Sequence, residues 1–201
     1  ELRIVGERRL PLPWTGGSGE MAAGVRDGRW VELEAIVRGI QPRREGGFNL
    51  KVAAGATKID AYLPPGVDPR GLPQEDAKVR LRGVCDVLSR DRRTQGFRIL
   101  VSEPAQIQRL HGPSPRERLE VREIGWLFGA AAALNEGHRV RVRATVTLRG
   151  LGGLLFIGDA TNGLRVIPRS CQAVAVGDVV EAVGFPSVGE AGTVLEDADV
   201  V

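Results

Sequence analysis

Histidine is almost absent from this 201-residue chain. His111, in a proline-flanked loop, and His138, at the head of a strand-like run, are the only two. With so few imidazoles most acid–base and nucleophilic constellations fall away, and none of the GxSxG, HExxH, P-loop or GxGxxG patterns occurs. The carboxylates lie on strand faces and in loops with no paired arrangement. Asp159 and Asn162 flank a hairpin turn, where turn chemistry accounts for both. No catalytic residue is therefore expected, and this fragment is not expected to be an enzyme.

Cysteine is equally scarce. Cys85 and Cys171 fall in different halves of the chain, which excludes a CxxC pair and any zinc-ligand spacing. No metal and no cofactor is expected, and the two thiols read as reduced, small, partly buried side chains. Lysine occurs only at Lys51, Lys58 and Lys78, so Arg supplies almost all the positive charge. Aromatic residues are limited to three Trp, one Tyr and five Phe, few to divide between core and surface. No run approaches the roughly 18 apolar residues of a membrane span, nor is there a signal-peptide pattern, so no membrane insertion by this fragment is expected. Glu1 is not an initiator, and the chain reads as an excised or processed piece.

What is present is alternation. Aliphatic, aromatic and cysteine residues make up 42% of the chain, enough for a packed core. From Trp30 to Ile40, Val31, Leu33, Ala35 and Val37 fall on one face and Glu32, Glu34 and Arg38 on the other, the signature of a half-buried strand. Residues 78–87 repeat it with Val79, Leu81, Gly83, Cys85 and Val87 inward, as do 138–148 and 177–185. Shorter strands are expected at 48–53, 58–63, 97–101, 154–157, 164–167 and 193–195. The segments recur in the same order in both halves: a long first strand, a Gly-rich or basic turn, two short strands ending at Pro64 or Pro168, an irregular stretch, a strand carrying Gly83 or Gly184, and a last strand. Five strands per copy with a glycine in the fourth indicate an all-β chain of two tandem barrels of the oligonucleotide/oligosaccharide-binding (OB) type, joined by a short helical linker.

The expected boundaries are an N-terminal strand and linker at 1–26, barrel 1 at 27–112, a linker with a short helix at 113–137 and barrel 2 at 138–201. Residues 1–6 resemble 106–112 and read as the tail of a further unit or a strand that pairs elsewhere. Residues 15–24 read as a flexible linker. Ser114 and Glu117 have capping-box spacing with Pro115 at the first helical position, and Val121, Ile124, Leu127, Phe128 and Ala131 recur at helical spacing, so an amphipathic helix is expected near 115–130.

In OB barrels ligands meet the face of the second and third strands, between the loops joining strands one to two and four to five. In the first copy these loops are 41–47 and 89–96, carrying Arg43, Arg44, Arg90, Arg92 and Arg93. Phe48 and Phe97 stand where each loop re-enters a strand, and Tyr62 lies on the third strand. Arg with exposed rings is the chemistry of phosphate contact and base stacking, although Phe48 and Phe97 could equally point into the barrel. These eight residues form the candidate ligand-binding set. The corresponding loops of the second copy hold RGLGG and SVGEAGT, with Glu190 as the tip charge. Charge follows the same split: residues 1–110 carry 19 basic and 14 acidic residues, and 111–201 carry 9 and 11. Arg80 and Arg82 read instead as cross-strand partners of Glu32 and Glu34, and Arg141 and Arg143 as partners of Glu181.

The segments DGRWVELEAIVRGI, KVRLRGVCDVL, GHRVRVRATVTL and GDVVEAVGFPS with the terminal LEDADVV resemble tandem OB-like units in the extracytoplasmic sensor region of some bacterial sensor histidine kinases and related signalling proteins. Where members of that family often carry Gly in the middle of the first strand, Ala35 and Ala144 stand here. The resemblance implies a non-catalytic input module in the periplasm or otherwise outside the cytoplasm, with output domains such as a kinase elsewhere in the parent chain, and supplies no ligand residues. The expected function is thus a sensory or interaction module for a small-molecule, oligosaccharide or protein ligand. The alternative is a single-stranded nucleic-acid binder acting through the basic mouth of barrel 1, and a rigid spacer is a third reading.

Overall fold

The computed structural model describes residues 3, 5, 6, 8–90, 93–129, 137–171, 173–189 and 192–201, without the side chains of Arg90, Arg93 and Thr94. Barrel 1 is built from β2 (Trp30–Pro42), β3 (Phe48–Ala54), β4 (Thr57–Leu63), β5 (Lys78–Arg90) and β6 (Arg93–Leu100), preceded by β1 (Trp14–Thr15) and α1 (Ser18–Ala22) and followed by β7 (Ile107–His111). Its strands run β2-β3-β4-β6-β5, and β5 pairs back to β2 to close the cylinder. Barrel 2 repeats this with β9 (Val140–Arg149), β10 (Leu155–Gly158), β11 (Gly163–Cys171), β12 (Val179–Gly189) and β13 (Gly192–Val200), after a two-residue β8 (Val121–Arg122). Each copy has one parallel contact within its barrel, β4 with β6 and β11 with β13, and the other pairings that close the cylinder are antiparallel. This is the OB strand order, written twice. No helix among the described residues is long and apolar enough to cross a membrane.

The alternation produces the two cores. Val31, Leu33, Ala35 and Val37 of β2 meet Val79, Leu81 and Cys85 of β5 in one buried cluster, and Val140, Val142, Ala144 and Val146 of β9 meet Val180 and Ala182 of β12 in the other. Burial in the barrel pushes the Cys85 thiol up to about 11, helped by Asp27 and Asp86, so it stays protonated. The glycine of the fourth strand has a steric cause. A Cβ on Gly83 would lie 2.4 Å from Ile99 Cγ2 and 2.6 Å from the Leu100 oxygen, and one on Gly184 would lie 2.8 Å from the Glu196 oxygen. At that level β5 passes from its β2 pairing to its β6 pairing, Val84 opposing both Trp30 and Leu100, and only a hydrogen fits inside the bend.

Three expectations are corrected. The stretch 15–24 is not simply a flexible linker: it contains α1, whose Met21 is fully buried in the core of barrel 1. The amphipathic helix near 115–130 is replaced by 3-10 turns at Arg116–Arg118 and Ile124–Phe128 with β8 between them. Backbone pairing of Val121 and Arg122 to β9 takes the chain out of helical geometry, and Phe128 and Val121 are exposed while Ile124 and Leu127 enter the core of barrel 2; Ala131 lies outside the described residues. The expected loop at 89–96 is largely a hairpin arm, since β5 continues to Arg90 and β6 starts at Arg93. Of residues 1–6, those described form no strand.

These corrections extend the repeat. In each copy a two-residue strand lies parallel to the start of the first barrel strand, Trp14 opposite Val31 and Val121 opposite Arg141. In each copy a helical turn then drives apolar side chains into the core, Met21 in one and Ile124 with Leu127 in the other. A buried side chain of this size contributes about 1.5–3 kcal/mol.

The irregular stretch between β4 and β5 serves the junction of the barrels. Asp76, fully buried and at φ +69°, donates its N–H to the Val37 oxygen at 2.8 Å. Its Oδ1 accepts the Arg139 N–H at 2.9 Å and lies 3.1 Å from His138 Nδ1, so a barrel 1 carboxylate holds the entry to β9. Ile36, Ala53, Val183 and Phe185 are buried yet belong to neither core, and the Arg38 guanidinium lies 4.0 Å from the Phe185 ring centre. Ion pairs Lys58–Glu196, at 2.6 Å, and Arg169–Glu75 link the barrels further out.

Candidate ligand-binding face

On β3 and β4 the inward residues are Leu50, Val52, Ile59, Ala61 and Leu63, which leaves Asn49, Lys51, Lys58, Asp60 and Tyr62 outward. Strand register sets these in rows. Lys51 opposes Asp60, Asp60 opposes Arg98 and Arg98 opposes Asp86, a row of alternating charge in which Arg98 donates to Asp86 at 2.5 Å. One level up, Asn49 opposes Tyr62 and Tyr62 opposes Leu100.

The loop 41–47 brings its arginine onto this face. Its chain folds tightly, the Arg43 N–H donating to the Gly47 oxygen and the Gly46 N–H to the Arg43 oxygen, both at 3.1 Å. Gly47 has φ +76°, and a Cβ there would lie 2.2 Å from the Leu63 oxygen, so only glycine allows the loop to fold against the end of β4. Arg43 then lies with its guanidinium 4.0 Å from the Tyr62 ring centre, and Arg98 lies 4.8 Å from it. Each such contact contributes about 0.5–1 kcal/mol at an exposed site. Arg43 also donates to Glu45 at 2.9 Å, while Arg44 is exposed at the loop tip.

The eight candidate residues are thus distributed unevenly. Arg43 and Tyr62 are in contact, and Arg44 is adjacent. Phe48 is half-buried and packs against the core of barrel 1. Phe97 points into the barrel and is 6% exposed, so its ring is not offered to a ligand; period-two alternation places it inward beside Ile99. The backbones of Arg90 and Arg93 lie on β5 and β6, but their side chains are outside the described residues, as is all of Arg92. Arg98, which the candidate set lacks, is the residue the alternation Phe97–Arg98–Ile99 could have supplied. Among the described residues no group of three His, Cys, Asp or Glu could hold a metal ion. The face can donate hydrogen bonds to anionic oxygens and offer one half-exposed ring.

A cleft of about 680 Å³ adjoins this face and shares Lys51 and Asp60 with it, walled by α1 and β2 to β6 of barrel 1 and by β11 and β13 of barrel 2. The matching Arg–Glu pairs stand apart from both. Arg80 and Arg82 bond Glu34 and Glu32 at 2.9 and 2.5 Å, and Arg141 and Arg143 both bond Glu181, whose pKa the two guanidinium groups lower.

No family model and no curated protein matches the chain. Among solved structures it is similar to the HINb domain of p204, at 12% identity over 83% of this chain and 94% of that one with a TM-score of 0.35. It is similar to a murine DNA-binding protein bound with double-stranded DNA, at 13% identity over 85% and 97% with a TM-score of 0.34. It is also similar to the OBody AM3L09 bound to hen egg-white lysozyme, at 19% identity over 51% and 99% with a TM-score of 0.37. At these scores the likenesses carry no functional argument, and the fold assignment rests on the strand order above.

Proposed function

We propose that the chain is a binding module without chemistry of its own, and that it takes single-stranded nucleic acid across the outer face of barrel 1. The observation that carries this reading is the Arg43–Tyr62–Arg98 stack, which joins the loop after the first barrel strand to the third and fifth strands, with Arg44 beside it on the loop tip. Guanidinium groups contact phosphate bidentately and offer planar faces on which a base stacks, and the Tyr62 ring holds two of them in place. The slight acidity of the second half, and its RGLGG loop, support placing the polymer on barrel 1 alone. Titration with a labelled oligothymidylate at several salt concentrations tests this, because released counterions make affinity fall steeply with salt. Arg43→Ala with Arg44→Ala is expected to weaken binding and reduce the salt slope by about one for each arginine lost. Absence of binding at low salt contradicts it.

A second reading follows the resemblance to extracytoplasmic sensor regions: an input module in which ligand binding alters how the barrels sit together. The polar junction at Asp76, His138 and Arg139 supports it, since charge contacts rather than a shared core hold the entry to β9. The parent gene decides this: an upstream signal peptide with a downstream membrane span and kinase core is expected, and their absence contradicts it.

A further inference from the structure

We propose that the cleft between the two barrels binds a small zwitterionic ligand of the free α-amino acid or short-peptide class. Its volume of about 680 Å³ falls in the range of small-molecule sites. Four basic and four acidic residues line it, so a polyanion gains nothing there, whereas a ligand carrying one charge of each sign can satisfy both. The cleft adjoins the basic face and shares Lys51 and Asp60 with it, but its balance of charge differs.

The lining charges divide into spent and unspent. Lys58 with Glu196 and Arg169 with Glu75 are already paired across the junction. Arg38, Lys51, Asp60 and Asp197 form no ion pair among the described residues. Arg38 is the most telling of them. Its Nε and Nη1 are buried without a hydrogen-bond acceptor while its plane rests on Phe185, and burial lowers its pKa against the pull of Asp197, Glu196, Asp76 and Glu75. A buried donor left unpaired is unfavourable, and Arg38 lines the cleft, so a ligand carboxylate there meets a positive charge that no ion pair among the described residues offsets. Asp197 supplies the opposite charge from an exposed position at the irregularity of β13, where its backbone is at φ +49°. Apolar contact comes from both walls: Leu88 of barrel 1 and Ile167 of barrel 2 are each 39% exposed and line the same space. Carboxylate to Arg38 and Lys51, ammonium to Asp60 and Asp197, and an aliphatic side chain against Leu88 and Ile167 together describe an amino acid such as leucine or a dipeptide bearing it.

The test is a nuclear magnetic resonance titration of the whole chain with L-leucine and with glycyl-L-leucine, beside N-acetyl-L-leucine and L-leucinamide, which each lack one charge. Saturable shifts at Asp60, Leu88, Ile167 and Asp197 are expected with at least one of the zwitterions, with the blocked forms at least tenfold weaker. Arg38→Gln and Asp197→Asn are each expected to weaken binding tenfold or more while leaving oligothymidylate affinity unchanged. Asn tolerates the backbone conformation of residue 197, and an unchanged amide spectrum establishes that either variant is folded. No shift with either zwitterion at millimolar concentration, or blocked ligands binding as well as the free ones, overturns the proposal. Because the oligonucleotide is titrated separately, failure here and failure of the nucleic-acid reading are distinguishable.

Discussion

The two barrels share a frame and differ at the mouth. Both place glycine where the fourth strand bends, both plug the core with a helical turn, and both set Arg against Glu across the pairing of first and fourth strands. At the loop joining their first two strands they diverge. Barrel 1 folds 41–47 so that Arg43 meets Tyr62, whereas barrel 2 turns through Gly150, Leu151, Gly152 and Gly153, with the apolar Leu151 exposed and no arginine among them. Features common to both copies therefore report on folding, and features confined to one report on use.

The comparison breaks first at the junction. Asp76→Ala removes the acceptor for Arg139 and His138 and puts a Cβ-bearing residue without a stabilising side chain at φ +69°. A loss of about 3–5 kcal/mol is expected, with denaturant unfolding separating into two transitions, one per barrel. Burial alone would raise the Asp76 pKa, but its hydrogen bonds from His138 and Arg139 and their charges outweigh that and hold it below the ordinary carboxylate range. The stability this contact adds is therefore present above the ordinary carboxylate pKa and is lost as pH falls through the depressed native value. A pH series on Asp76→Asn, which lacks the titrating group, is expected to show a shallower acid decline than the parent chain. A smaller effect comes from the bend glycines. Gly83→Ala and Gly184→Ala are each expected to cost about 1–3 kcal/mol by overpacking, read from denaturation midpoints; if only one did, the copies would not share their corner. Smallest are the cross-strand pairs, where Glu32→Gln and Glu181→Gln should each cost about 0.2–1 kcal/mol, measured by denaturation at low and high salt.

Much of the frame was legible because period-two alternation is a local property. Val31 to Val37 and Val79 to Val87 declare their buried face within each strand, and the repeat declares the topology. The charged partners Glu32–Arg82 and Glu34–Arg80 followed from the same register. What stayed hidden was tertiary. Ile36, Ala53, Val183 and Phe185 sit on faces the alternation assigns to solvent, yet all four are buried outside either core, with Arg38 of barrel 1 resting on Phe185 of barrel 2. The helix around Met21 hides in a Gly- and Ser-rich stretch whose composition reads as linker, because packing of one large side chain rather than helix propensity sustains it. At the candidate site, Arg43 and Tyr62 were visible from loop position and strand order, but Phe97 shows how a ring at a loop–strand boundary follows the strand's alternation inward. The cleft had no sequence signal, since its walls come from residues more than a hundred positions apart.

The most direct test of the division between a shared frame and a single working mouth is the backbone amide shift map of the whole chain titrated with oligothymidylate at low salt. Shifts concentrated at Arg43 to Phe48, Tyr62 and Arg98, with Gly150 to Leu154 unmoved, are the expected result. Shifts of equal size on both barrels, or none on the face around Tyr62, would contradict it.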